Sequence, residues 1–210
     1  KISKKITSYN KKIIVDGDKS LSIRWVLLAS QAIGKSRADN LLKSEDVTAA
    51  INSIRKLGIK VKLYKNYCEI YGNGINGFKY KKNLTIDAKN SGTLGRLILG
   101  LLIKSPQKIK LIGDKSLSKR DFSRVTTPLK KFGAKFYYKT KNKLPLSIIG
   151  SKSIKGINYF EKKGSAQCKS SIMLAALNAT SATFIKAKKS RNHSELLFNY
   201  LKIPIKIKKN

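Results

Sequence analysis

The chain has 210 residues, 41% of them hydrophobic, enough for one large domain or two small ones with a real core. Apolar residues run along its whole length, which excludes disorder by composition, and the longest nearly apolar run, residues 94–103, is too short for a bilayer and holds Arg96. Forty-six basic residues against 11 acidic ones give a formal charge of +35, while two cysteines, Cys68 and Cys168, and one histidine, His193, leave neither a disulfide framework nor a zinc site.

No signal-type apolar stretch follows the basic N-terminus, so export is not expected and a reduced cytoplasmic setting is. Residues 12–15 read as an entering strand, and from Ser20 the run Ser-Leu-Ser-Ile-Arg-Trp-Val-Leu-Leu-Ala leads into an apolar helix pattern. A β-type stretch at 36–41 precedes a second helix pattern at 45–57, which Gly58 stops. Residues 59–64 and 68–71 then alternate as half-buried strands. The order returns with a strand at 83–87, a helix opened by Ser91-Gly-Thr-Leu-Gly-Arg-Leu-Ile-Leu-Gly, a strand at 108–112, a helix at 119–132 stopped by Gly133, and strands at 134–138 and 146–149. It starts a third time with a strand near 154–160, the helix of Ser165-Ala-Gln-Cys-Lys-Ser-Ser-Ile-Met-Leu-Ala, a strand at 183–186 and a helix at 192–201. After a last β-type stretch at 203–207, no returning strand is left. The helix starts lie roughly 70 to 75 residues apart, longer than solenoid periods and right for a small α/β unit repeated three times. The expected fold class is therefore α/β, built from three βαβαββ repeats at about 18–82, 83–152 and 153–210, the third incomplete. Lys1 is not an initiator methionine, so the sequence reads as cut at both ends.

A charge of this size points to nucleic acid or another polyanion. Only seven of the 46 basic residues are arginine, however, which leaves 39 lysines. Nucleic-acid readers lean on arginine forks and on aromatic residues that stack bases. Here the lysines are scattered, as at Lys60, Lys62 and Lys65 or Lys139, Lys141 and Lys143, and Ile and Asn are abundant too. That is the pattern of an AT-rich coding sequence filling solvated positions with lysine. A solvated lysine surface and a surface for polyanions both stay open, and either draws in small anions.

Free N–H groups at a helix start attract anions, and Ser, Thr and Gly let a ligand approach closely. All three expected starts carry such residues with a cation nearby: Lys19 and Arg24, Arg96, and Lys169. If the units pack around a common axis, these ends gather on one face as a site for a small ligand with several negative groups. Ordinary N-capping explains each start equally well on its own.

Six motifs, in register over residues 16–197, carry a resemblance. They are Gly17-Asp-Lys-Ser-Leu-Ser-Ile-Arg24, Leu42-Lys-Ser-Glu-Asp46, Asn90-Ser-Gly-Thr93 with Arg96, Gly113-Asp-Lys-Ser-Leu-Ser-Lys-Arg120, Ser165-Ala-Gln-Cys-Lys-Ser170 and Ser190-Arg-Asn-His193. In this order they resemble the 5-enolpyruvylshikimate-3-phosphate synthase family of the shikimate pathway. Lys19-Ser20 fits that family better than the related transferases acting on UDP-sugars, which carry Lys-Asn there. The resemblance covers almost the whole chain but only the first half of a family protein. It implies an enolpyruvyl transferase-type inside-out α/β barrel domain, in which 18–210 form most of a second domain and 1–17 the start of a first, split one. It also implies a likeness in chemistry: the enolpyruvyl group of phosphoenolpyruvate passes to the 5-hydroxyl of shikimate-3-phosphate. Protonation of the methylene carbon makes its neighbour electrophilic, the hydroxyl adds, and the tetrahedral intermediate expels phosphate. Charge clamping and proton transfer are then the protein's main tasks, with no metal or organic cofactor needed.

By the same resemblance Lys19 touches both substrates and serves as the catalytic proton-transfer residue. Ser20 and Arg24 match shikimate-3-phosphate contacts, Arg24 through a bidentate grip on carboxylate. Ser165, Ala166 (through its backbone N–H), Gln167 and Ser190 match further contacts to that substrate. Gly92, Arg120 and Gln167, with Lys19, match the phosphoenolpyruvate subsite, and Gly92 implies sensitivity to glyphosate. His193, where the family carries histidine or tyrosine, is left out of the catalytic set. Three positions depart from the family pattern: Lys89 replaces a common glycine, Asp121 a proline and Asn192 an aspartate. The family's second half supplies the aspartate base for the 5-hydroxyl and further phosphoenolpyruvate contacts, so a monomer of this chain is expected to hold shikimate-3-phosphate weakly and not to turn over. A basic nucleic-acid-binding α/β module is the alternative.

Overall fold

The computed structural model describes residues 8, 10, 12, 13 and 15–208. The first unit comprises α1 (Lys19–Ala29), β1 (Ile33–Asp39), α2 (Glu45–Lys56), β2 (Lys60–Leu63) and β3 (Tyr67–Asn73). The second comprises β4 (Thr85–Asp87), α3 (Gly92–Leu101) with a 3-10 turn (Leu102–Lys104), β5 (Ile109–Ile112), α4 (Lys115–Ser118), α5 (Ser123–Lys131), β6 (Lys135–Tyr138) and β7 (Leu146–Ile149). The third holds β8 (Asn158–Glu161), α6 (Ala166–Ala176), β9 (Phe184–Ala187) and α7 (His193–Tyr200). No helix among the described residues is long and apolar enough to cross a membrane.

Two kinds of helix follow from two kinds of sequence. In α2, Val47, Ala50, Ile51 and Ile54 fall on one buried face, Glu45 and Asp46 sit in the first turn, and Arg55 and Lys56 close the last. Ser44 caps it, and Gly58 at φ +86° ends the turn that follows. In α3, by contrast, nearly every residue from Leu94 to Leu101 is apolar or glycine and buried, so this helix has no solvent face. Helices α1 and α6 are buried almost as completely. These three lie inside, and α3 approaches α6 so closely that a Cβ on Gly100 would stand 2.3 Å from the Ser171 carbonyl oxygen.

The strands form three separate sheets outside them. The first has order β1-β3-β2 and is antiparallel, with Ile33 opposite Asn73 and Val61 opposite Ile70. The second has order β4-β5-β7-β6, with β4 parallel to β5 and the remaining pairs antiparallel. The third is the parallel pair β8-β9, which repeats the arrangement of β4 and β5. Strand alternation sorts the residues: Val61, Ile70, Ile109, Leu111 and Ile148 are buried, while Lys60, Lys62 and Lys110 between them are exposed. The three-repeat α/β expectation holds, helices inside and sheets outside.

Three local expectations are corrected. The entering strand expected at 12–15 is absent at its described residues 12, 13 and 15, and residue 14 lies outside the described residues. Ile13 and Val15 are exposed and so bury nothing against a sheet. Residues 203–207 have no regular structure; Ile203 and Ile205 pack against the core, but no neighbouring strand pairs with them among the described residues. The helix expected at 119–132 starts later, as α5 from Ser123, and a separate short helix, α4, precedes it at 115–118, with an aspartate just before each. Asp114 accepts the Leu117 N–H at 2.6 Å and Asp121 accepts the Ser123 N–H at 2.5 Å.

Candidate functional site

The three inner helices begin with capped turns. Ser91 Oγ accepts the Leu94 N–H at 3.3 Å and Ser165 Oγ the Cys168 N–H at 3.2 Å. For α1 the cap is Asp18, which accepts the Leu21 N–H at 2.7 Å, not Ser20, which lies inside the first turn. The approach to α6 is held by the buried Glu161 carboxylate, which takes the N–H groups of Lys163 and Ser165 at 3.1 and 2.7 Å.

Side chains about a turn below these starts join one helix to the next. Arg24 of α1 donates from Nε to Ser194 Oγ of α7 at 2.8 Å and from Nη2 to Ser170 Oγ of α6 at 2.9 Å. Its Nη1 donates to the Ser20 carbonyl at 2.9 Å. Arg96 of α3 donates from Nη1 to Gln167 Oε1 of α6 at 2.8 Å, and Gln167 Nε2 donates to Thr93 Oγ1 at 3.0 Å. Arg24, Arg96 and Ser170 all stand at the fifth or sixth residue of their helices. Contacts at equal depth require the three N-termini to lie at one end of the bundle.

Gly92 is the first residue of α3, where a Cβ would stand 2.9 Å from Arg96 Nη1 and 3.0 Å from Arg120 Nη1. The structure thus brings Gly92, Arg120, Arg96 and Gln167 together, and separately Ser20, Arg24, Ser170 and Ser194, with α6 running between the two groups. The carbonyl of Ala166 accepts from Ser170 Oγ at 2.7 Å, within the same helix start as Ser165 and Gln167. Ser190 Oγ and His193 Nδ1 are buried without a hydrogen-bond partner among the described residues. Lys19, at the start of α1, keeps half its side chain exposed and pairs with Asp46 at 3.2 Å.

Two of the cations expected at helix starts are therefore engaged: Lys19 with Asp46, and Lys169 in a mostly buried ion pair with Glu195. The guanidinium groups differ. None of the ion pairs among the described residues includes Arg24 or Arg96. Burial, first of all, pushes both below the ordinary guanidinium value; Arg191 adds to this at Arg24 against Asp18 and Glu195, and Arg120 and Arg124 add to it at Arg96. Two desolvated cations bonded to neutral oxygens make an end of the bundle that gains from a bound anion.

Two of the three departures from the family pattern have local explanations; nothing in the structure explains Asn192, whose side chain makes no cap bond at α7. Lys89, where glycine is common, adopts φ +51°; Asp87 holds it by accepting its N–H at 2.8 Å and pairing with its ammonium at 3.1 Å. Asp114 then bridges this loop to α4, accepting from Asn90 Nδ2 at 2.5 Å. Asp121, in place of a proline, accepts the N–H of Ser123, the first residue of α5, while Phe122 stands at the cap position without a side-chain bond. The residues that sequence reading passed over are Thr93, Ser194 and Glu195, together with the bonding roles of Asp46 and Ser170. Asp46, Thr93 and Ser170 lie within the quoted motifs, but nothing local marks which partner each one bonds, and Ser194 and Glu195 carry no signal beyond being polar.

Residues 3–210 match the family model described as EPSP synthase (3-phosphoshikimate 1-carboxyvinyltransferase). A curated 3-phosphoshikimate 1-carboxyvinyltransferase of Oenococcus oeni is 37% identical over 198 residues, covering 94% of this chain and 45% of that protein. One from Streptococcus pyogenes is 41% identical over 185 residues, covering 87% and 43%. A solved EPSP synthase structure from Acinetobacter baumannii superposes with a TM-score of 0.89 at 32% identity, covering 95% of this chain and 45% of that one. The chain thus spans about half the length of the curated relatives it matches.

Proposed function

The chain belongs to the EPSP synthase family, and on that premise we propose that it carries the shikimate-3-phosphate half of an enolpyruvyl-transfer site. The observation that supports this most is the pair of desolvated guanidiniums, Arg24 buried and Arg96 half-buried, bonded only to neutral oxygens at three gathered helix starts. In this reading Arg24 grips the ring carboxylate, and Ser165, the Ala166 N–H, Gln167 and Ser190 take phosphate and ring hydroxyls. The unpartnered Ser190 Oγ has an acceptor or donor to gain from such a ligand. Arg120, Gly92 and Gln167 line the phosphoenolpyruvate side. Lys19 spends one of three ammonium donors on Asp46 and has two left for the substrates, one of which it can give as the proton that starts the reaction.

The remaining groups, including the base for the 5-hydroxyl, lie in the part of the relatives that this chain does not span. Residues 18–210 then form most of one domain and 1–17 the start of another, in a cytoplasmic monomer. The nucleic-acid alternative has less support at the first sheet, where the aromatic faces that bases would stack on are occupied, while Phe184 and Tyr200 elsewhere are exposed. Tyr64 and Tyr67 stack on each other at 4.2 Å, Arg37 lies 4.0 Å over Tyr67, and Lys60 lies over Tyr71.

Titration of the 210-residue chain with shikimate-3-phosphate, followed by Trp25 fluorescence, tests this. Saturable binding that Arg24→Ala weakens about a hundredfold is expected, the scale of a charge-assisted fork, with no phosphate released from phosphoenolpyruvate. Phosphate release by the chain alone would overturn the half-site reading. Tight RNA binding with a steep salt slope, indifferent to Arg24→Ala, would favour the nucleic-acid module.

A further inference from the structure

We propose that Ser170 and Ser194 are positioning residues for Arg24: their hydroxyl oxygens occupy the Nε–Nη2 edge of its guanidinium and leave one N–H on each terminal nitrogen for a ligand carboxylate. This rests on the reading of Arg24 as the carboxylate contact. The two serines come from different helices, α6 and α7, and meet only here. Ser194 Oγ accepts from Nε at 2.8 Å and Ser170 Oγ from Nη2 at 2.9 Å, and Ser194 Oγ donates to Ser170 Oγ at 2.6 Å. Ser170 Oγ in turn donates to the Ala166 carbonyl at 2.7 Å.

A hydroxyl has one proton and two lone pairs, so this chain of bonds has one consistent direction. The Ser170 proton goes to Ala166, the Ser194 proton goes to Ser170, and both oxygens face Arg24 as acceptors only. Turning either proton toward Arg24 would set two donors against each other. The pair therefore imitates the two oxygens of a carboxylate on one edge of the guanidinium while remaining neutral. A true carboxylate there would fix Arg24 equally well but neutralise it. Of the five N–H donors, Nε, one on Nη2 and one on Nη1 (toward the Ser20 carbonyl) are used. The two that remain match the spacing of a bidentate carboxylate. Arg24 is 5% exposed, so it carries little water for a ligand to displace and its guanidinium is already oriented.

A role confined to tying α6 to α7 would show as lost stability alone. The test therefore reads Arg24 itself, by hydrogen exchange of its side-chain Nε–H in the 15N spectrum of the chain, its signal identified by Arg24→Lys. It also reads affinity for shikimate-3-phosphate against inorganic phosphate, which has no carboxylate. Ser194→Ala and Ser170→Ala are expected to speed Nε–H exchange at least about tenfold and weaken shikimate-3-phosphate about tenfold, the scale of one hydrogen bond to a charged group. Phosphate affinity should stay within about twofold, and Ser194→Thr should restore both readouts. Ser194→Cys, close in volume and a poor acceptor, stands in if an alanine variant folds badly. Unchanged exchange, or equal weakening of both ligands, would overturn the proposal. If the parent chain binds no shikimate-3-phosphate, the enzyme reading falls, and the exchange rates still decide whether the serines hold Arg24.

Discussion

Helix α3 contains two glycines whose replacement by alanine is expected to move stability in opposite directions. Neither has a positive φ, so each substitution gains about 1 kcal/mol in helix propensity. At Gly95 the new methyl meets Ala88 Cβ and the Phe122 ring at 3.5 Å, ordinary contact distances in a buried site. Gly95→Ala should therefore stabilise the chain by about 1 kcal/mol. At Gly100 the methyl would stand 2.3 Å from the Ser171 carbonyl oxygen and 3.2 Å from Leu174 Cβ. The obstacle is the backbone of α6, which cannot rotate away, so α3 and α6 must part by about 1 Å. A gap of that size forfeits up to half of each contact's attraction along the interface. Set against the propensity gain, an overpacking cost of about 3 kcal/mol leaves a net loss of about 2 kcal/mol. Urea unfolding followed by far-UV circular dichroism reads both. With a slope of about 2 kcal/mol per molar, midpoints should shift by about +0.5 M for Gly95→Ala and about −1 M for Gly100→Ala, at unchanged slope. A Gly100→Ala midpoint at or above the parent's would refute the close approach of the two helices.

Gly92→Ala crowds only the ends of Arg96 and Arg120, at 2.9 and 3.0 Å, so its unfolding midpoint should stay near the parent's. Phosphoenolpyruvate affinity by calorimetric titration should fall about tenfold, as expected when a placed charge-assisted contact is lost. Asp114, held ionised by the Leu117 N–H and by Asn90, and Asp121, held by Ser123, both titrate below the usual aspartate range in the folded chain. Their stabilisation is complete above about pH 4 and lost as pH falls through the lowered folded values; Asp114→Asn should flatten that part of the melting-temperature profile between pH 5 and 2. Burial pushes the Cys168 thiol up to about 12 and that of Cys68 to about 11. Iodoacetamide at pH 8 should therefore leave both unmodified in the folded chain and label both in denaturant; labelling of the folded chain would contradict their burial.

Much of the architecture is written locally. A cap, an apolar helix run and a glycine stop are features of a few consecutive residues, so Ser91, Ser165, Gly58 and Gly133 could be read without knowing what packs where. Their recurrence revealed three units, and the motifs around Lys19, Asn90 and Ser165 pointed to one kind of site. Where the strand reading failed at 203–207, the cause was a missing partner. Apolar alternation at 203–207 resembles a strand, but a strand exists only where another lies beside it, and Ile203 and Ile205 pack against the core instead.

The sequence alone determined the repeat and the polar starts of the three inner helices, because these follow from short-range sterics and capping. Only the tertiary structure decided which charges are available. Lys19 and Lys169 look like free cations in sequence and are paired in space with Asp46 and Glu195. Arg24 reads in sequence as a cation beside a helix start, and in space it is buried on two serines that lie 146 and 170 residues away along the chain. Whether a charge is free depends on what three-dimensional packing places within hydrogen-bond reach, and pairing across such separations leaves no periodic trace in the sequence.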